Sequence, residues 1–455
     1  MLSFVVGVGC LVGCSQPEPA VEPSTATVSE VPLRILYVGQ PEEAKIIERS
    51  WSLISDQVLA FTVVPPENAV EDLVKQAGRH DVIVYFSSDT GRLVDVQAIR
   101  RLRSSLFSPT GDSDGARIDF FPALEFGAMR LGDEAYGVPL GAMQPILVHP
   151  PALAESKTAE SKPDEPSRWT WESYGRQIKN LEPGKAAEPL ADGWAAQALL
   201  ARANGYSDSS WMFMGELTPA LATAPYLRAL KELAAAAESY PEERLTPEQV
   251  WEGVQKGRFD VAITWITNAE PLEQTVDVVL DRLPTTSEVY ESSKGEWSPR
   301  EVDSRSEWVL LGPYTRVGAI ASGCRQTSLS ERFLTWLAAG EGTAEIRRSI
   351  PSFTVTARNS NDLAGGAGRL SGEGAEYESL LVTELQNTYV RPGFRLPGSQ
   401  QYWEALDREV IAVLEKKKSP EEALVDASRA WDEISESLDI SLQKKAWRAV
   451  LRSSR

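Results

Sequence analysis

Between Leu33 and Phe86 the sequence changes its period repeatedly, and this restricts the fold more than any other feature. Leu33, Ile35, Tyr37 and Val38 lie in an apolar run suited to a strand buried on both faces. Ala44, Ile47, Trp51 and Ile54 then recur at helical spacing. A second run, LAFTVVP, is followed by the helical pattern AVEDLVKQ, a stop at Gly78, and a third run from Val82 to Phe86. Buried strands alternating with helices predict an α/β fold with a parallel, helix-covered sheet. Ligands of such open sheets bind beyond the carboxyl ends of the strands, which puts Phe86, Ser87, Ser88 and Asp89 at the rim of a candidate site.

The chain has 455 residues, more than one core usually organises, so two lobes are expected. A net charge of −19 opposes nucleic-acid binding, which needs a concentrated positive field. His80 and His149 are the only histidines, and the cysteines are Cys10, Cys14 and Cys324. That inventory offers no set of zinc or haem ligands, so no metal or cofactor is expected, and Cys324 has no partner for an internal disulfide.

Leu2 to Val12 form an apolar stretch of signal-peptide length, well short of the ~20 residues a spanning helix needs. No later stretch is long enough to span a membrane. Leu11-Val12-Gly13-Cys14 resembles the lipobox of bacterial lipoproteins, which implies cleavage after residue 13 and lipidation of Cys14. Residues 14–30, dotted with Pro17, Pro19 and Pro23, cannot bury enough apolar surface to order themselves and read as a flexible tether.

Helix starts are marked by capping boxes at Thr246/Gln249 and Ser419/Glu422, each with proline at the first helical position. Ser328 and Glu331 suggest a third. Ala154–Ser167, Thr285–Ser306 and LAGGAGRLSGEGAE read as low-complexity loops. GDSDG at 111–115 matches the nucleophile-elbow pattern but lacks its strand, and GGAGRLSG lacks the lysine of a phosphate loop. His149 reads as structural.

Several segments, in order, resemble the solute-binding proteins of ABC importers, in the class that includes maltose-binding protein. They are DVIVYFSSDTGRLVDVQAIRRL, AYGVPLGAMQPILVHPPAL, WTWESYGRQIKNL, VWEGVQKGRFDVAITWITNA, VGAIASGCRQTSLSERFLTWLAAGEG and the closing stretch from YVRPG onward. The resemblance implies a two-lobed periplasmic-binding-protein fold, type II-like, with a helix-covered sheet in each lobe. Residues 31–143 plus about 264–318 would form lobe 1, and 144–263 plus about 319–455 lobe 2. Hinge residues would be Gly141 and Pro145, Thr267, and Gly318.

It also implies a non-enzymatic receptor that closes on a small solute, a sugar above all, outside the cytoplasm. Its partners would be an ABC transporter permease and, through the lipid, a bacterial membrane. The alternative is the same fold serving as a sensor or surface scaffold. Sugar recognition needs flat aromatic faces and polar groups for hydroxyls. The candidates are Trp194, Trp211, Trp265 and Tyr314, with Ser88, Asp89, Gln144 and Asn268. Arg391 reads as a structural ion-pair partner more readily than as an anion ligand.

Overall fold

The computed structural model describes residues 31–67, 69–103, 106, 118–155, 169–208, 211–266, 277–300, 308–340, 342–357 and 373–453. The signal segment 1–13, Cys14 and its tether, GDSDG, most of the 154–167 stretch, GGAGRLSG, and Thr267 and Asn268 lie outside them.

One sheet runs in the order Leu59–Val64, Leu33–Val38, Val82–Phe86, Arg316–Ile320, Val138–Gly141. The first three strands are parallel, and Arg316–Ile320 lies antiparallel to both neighbours. Alternation along a strand sorts its side chains to two faces. Leu33, Ile35, Tyr37, Val82 and Val84 join a core with Trp51, Phe333 and Trp336, while Leu36, Val38, Ile83 and Tyr85 enter another. The continuous apolar runs thus serve two cores.

A second sheet has the order Val279–Asp281, Ile146–His149, Val261–Thr264, Ala186–Ala187. One of its faces shares a core with the first sheet, through Ile146, Val148, Ala262 and Trp251. The other packs Leu147, Val261 and Ile263 among the helices Trp171–Lys179, Ala195–Tyr206, Ala224–Ala237, Ser399–Leu414 and Pro420–Ser437.

The chain passes between the sheets at 142–145 and again at 312–315. The expected boundary assigned 264–318 to the first lobe. Strand pairing instead keeps Val279–Asp281 in the second sheet, because its edge strand returns beside Ile146–His149. Helix Thr327–Ala339, expected in lobe 2, packs on the first sheet through Phe333 and Leu334. Gly141 and Gly318 lie inside strands of the first sheet, where closeness rather than hinge freedom requires glycine. A Cβ on Gly141 would sit 2.2 Å from the Ser352 carbonyl, and one on Gly318 would sit 2.4 Å from Leu334.

The capping boxes at Thr246 and Ser419 form as the sequence predicts. Ser328 falls within the first turn of a helix whose N-cap is Gln326. Ile54 lies beyond helix Pro41–Ser52 and is exposed. Part of the 285–306 stretch is no loop. Glu288–Glu291 pairs antiparallel with Glu296–Pro299, the turn uses Gly295 at φ 72°, and Trp297 packs between Tyr206 and Tyr290. The final helix, Ile440–Ser453, reaches back to the first lobe, where the Gly132 N–H donates to Ala449 O at 3.0 Å and Ser453 Oγ at 2.7 Å.

Candidate functional site

The carboxyl end of Val82–Phe86 opens onto a groove between the sheets, with a volume of about 850 Å³. Its first-lobe wall carries Glu67, Phe86, Ser88, Asp89, Pro313 and Tyr314. The opposing wall begins at Asp192 and Gly193 and continues along one side of helix Ser399–Leu414, including Ser399, Trp403, Glu404 and Asp407. Its size falls in the range of small-molecule sites.

Rings from both lobes meet at one end. Tyr314 sits edge-on to Phe86 at 5.4 Å and stacks on Trp194 at 4.9 Å with 24° between planes. Trp194 in turn lies 5.0 Å from Trp265, which follows the strand Val261–Thr264. Phe86, Trp194 and Tyr314 are partly exposed, so they keep ring surface for a partner. Gly193, at φ +87°, makes the turn that delivers Trp194 to the start of helix Ala195–Tyr206.

Trp194 supplies no oxygen to cap that helix. Asp407 does so from another helix, accepting from the Gly193 N–H at 2.7 Å and the Ala196 N–H at 2.9 Å. The positive helix end facing the groove therefore already holds a carboxylate. Burial raises the Asp407 carboxyl above its ordinary value, although the backbone donors oppose the shift.

Ser88 is fixed by its carbonyl, which accepts from Ser399 Oγ at 3.0 Å across the groove. The carboxylate of Asp89 beside it is partly buried and makes neither a hydrogen bond nor an ion pair among the described residues. Loss of hydration raises its carboxyl to about 7. Burial pushes the Tyr314 hydroxyl up to about 12, and the charges of Glu248, Asp407 and Glu67 reinforce the shift.

Of the predicted site residues, Asp89 and Tyr314 line the groove, while Trp194 and the buried Trp265 join it through the ring cluster on Tyr314. Ser88 lines the same wall. Gln144 does not. It lines a separate cavity of about 90 Å³ with Pro145 and Gln197, and its Nε2 is buried without a hydrogen-bond partner among the described residues. Trp211 is a core residue. It stacks on Tyr226, donates from Nε1 to Pro392 O at 3.3 Å and lies 5.1 Å from the Arg391 guanidinium. Arg391 itself donates to the carbonyls of Asn204 and Ser207, a structural role. His149 bridges adjacent strands through Asp281 at 3.2 Å.

Trp403 and Asp407 line the groove but were missed by the sequence reading. Phe86, at the end of the third strand, was expected at the site's edge and lines the groove. Asp407 also stands out, adjoining the apolar stripe of Tyr402, Leu406, Val410 and Val413. Among the described residues no cluster has the composition of a metal site, and no helix is long and apolar enough to cross a membrane.

No protein-family model matches the sequence, and no curated protein matches it. Solved structures do match. The sugar-binding protein MalE of Xanthomonas citri is 13% identical, with a TM-score of 0.67 over 90% of this chain and 98% of its own. An ABC transporter solute-binding protein from Agrobacterium radiobacter, in complex with ribitol, is 16% identical, with a TM-score of 0.64 over 90% of this chain and 99% of its own. One from Agrobacterium vitis, with bound D-mannitol, is 13% identical at a TM-score of 0.60 over 90% and 99%. The chain has the two-lobed α/β fold of these solute-binding proteins.

Proposed function

We propose that this chain is a lipid-anchored extracytoplasmic receptor that binds a small polyhydroxylated solute between its lobes and delivers it to an ABC transporter permease. Phe86, Tyr314 and Trp403 on the groove walls carry the reading, with Trp194 stacked on Tyr314 and the buried Trp265 packed against Trp194. Ring faces match the apolar faces of sugars, while Ser88, Asp89 and Glu404 offer polar partners for hydroxyls. The sugar, ribitol and mannitol bound by proteins of this fold support a solute of that chemistry. No bond is made or broken: a solute touching both walls favours the closed arrangement, with 142–145 and 312–315 absorbing the motion. Cys14 keeps the receptor near the membrane, and residues 14–30 give it reach.

Thermal unfolding of the detergent-solubilised protein against monosaccharides, oligosaccharides and polyols tests this. A solute at 100 times its dissociation constant adds about 2.7 kcal/mol and raises the midpoint. The rise should vanish in Trp265→Ala. A second reading, a sensor or scaffold of the same fold, draws on the stacking of Trp194 directly on Tyr314. It predicts no shift with any small solute.

A further inference from the structure

The charges lining the groove are unevenly matched. Its cations are Arg244, Arg408, Lys417 and Lys418, and each is engaged by a carboxylate. Arg244 pairs with Glu415 at 2.6 Å and Asp192 at 3.5 Å, and Lys417 with Glu415 at 2.5 Å. Lys418 pairs with Glu409 at 2.5 Å and Asp426 at 2.8 Å, and Arg408 lies 3.6 Å from Glu409. Around the rings the balance is reversed. Among the described residues Asp89 and Glu67 have no cationic partner and Glu404 accepts only from Gln400, while Asp407 is bonded to backbone N–H groups.

Two buried guanidiniums lie close by: Arg395, which donates to the Arg130 carbonyl and whose charge, like that of Asp89, acts on Tyr85, and Arg316. The Arg316 guanidinium is 4.6 Å from the Phe86 ring centroid, but it is buried and committed elsewhere. It donates to Val38 O at 2.6 Å and Ser352 Oγ at 2.8 Å and lies 3.9 Å from Glu43. It is not part of the groove wall.

From this imbalance, and resting on the receptor reading above, we infer that the groove selects a solute bearing a positive charge, a sugar carrying a free amine, with its ammonium among the aromatic rings and Asp89 as counter-ion. The partly buried, unpaired carboxylate of Asp89 in the groove wall supplies the charge, and ring faces attract ammonium through their quadrupoles. An anionic solute would meet Glu67, Asp89 and Asp407 together, and the helix end at Trp194 that could have received it is occupied by Asp407. The unpaired, partly buried Asp89 distinguishes this from a groove built for neutral polyols, where that carboxylate would gain no charged partner, and the exposed Glu67 adds negative charge at the rim.

Calorimetric titration of the full-length protein in detergent tests the inference with three probes: glucosamine disaccharide, its N-acetylated counterpart and maltose. The amine sugar should bind about tenfold or more tighter than both neutral sugars, and the preference should shrink as salt rises. Asp89→Asn should abolish the preference while leaving weak sugar binding, and Glu67→Gln should reduce it. Circular dichroism confirms that each variant is folded. Equal or tighter binding of the neutral sugars overturns the amine assignment and leaves the receptor reading intact. An undiminished preference in both folded variants overturns the role of these carboxylates. No binding of any probe, together with no shift across the wider solute panel, overturns both readings.

Discussion

At the scale of single residues, Asp89 is costly to the fold. Its carboxyl is held near about 7 against an ordinary 3.8. Between those values the folded chain keeps a proton that the unfolded chain has released. Stability therefore falls as pH climbs from about 4 to about 7, and levels off above. Melting curves of Asp89→Asn should match the parent near pH 4 and show a higher midpoint at pH 8. An unchanged midpoint at pH 8 would mean that Asp89 is not desolvated. Trp211→Ala provides the opposite case: it removes a ring from the second lobe's core and should cost about 3–5 kcal/mol in denaturant unfolding, with solute affinity retained. Asp89 was legible because strand ends are where open sheets bind ligands, and Trp265 because it ends a strand. Trp211 was not separable from Trp194, since both flank the same helix and only packing tells them apart.

Elements whose signals are local were the most readable. The boxes at Thr246 and Ser419 each depend on residues three apart, and both form. Helix Ala195–Tyr206 is different, because its cap comes from Asp407, distant in sequence and invisible to a local reading. Asp407→Ala should destabilise by about 1–2 kcal/mol, measured by chemical unfolding, and loosen Trp194. The hairpin Glu288–Pro299 was hidden for a similar reason. Its strands are polar, and it is held by distant partners, with Arg228 bonded to Glu288 at 2.7 Å and lying 4.8 Å from the Trp297 ring. Gly141→Ala should cost about 1–3 kcal/mol by the same assay, because the backbone of Ser352 cannot easily yield to a Cβ.

Across the whole molecule, the strand–helix alternation foretold the helix-covered first sheet, but not where the chain returns to it. The return falls at 312–315 because an additional edge strand, Val279–Asp281, prolongs the second sheet. The closing helix Ile440–Ser453 likewise joins two regions that no local pattern connects, docking Ser453 against Gly132. What these long-range arrangements create is a groove with aromatic surface on both walls, and its occupation by a solute is the central claim. Titration calorimetry of Trp194→Ala and Trp211→Ala beside the parent protein, with whichever solute raises the unfolding midpoint, tests it most directly. Affinity should fall at least about tenfold for Trp194→Ala and stay within about twofold for Trp211→Ala. Full affinity in Trp194→Ala, or equal losses in the two folded variants, would contradict the groove as the binding site.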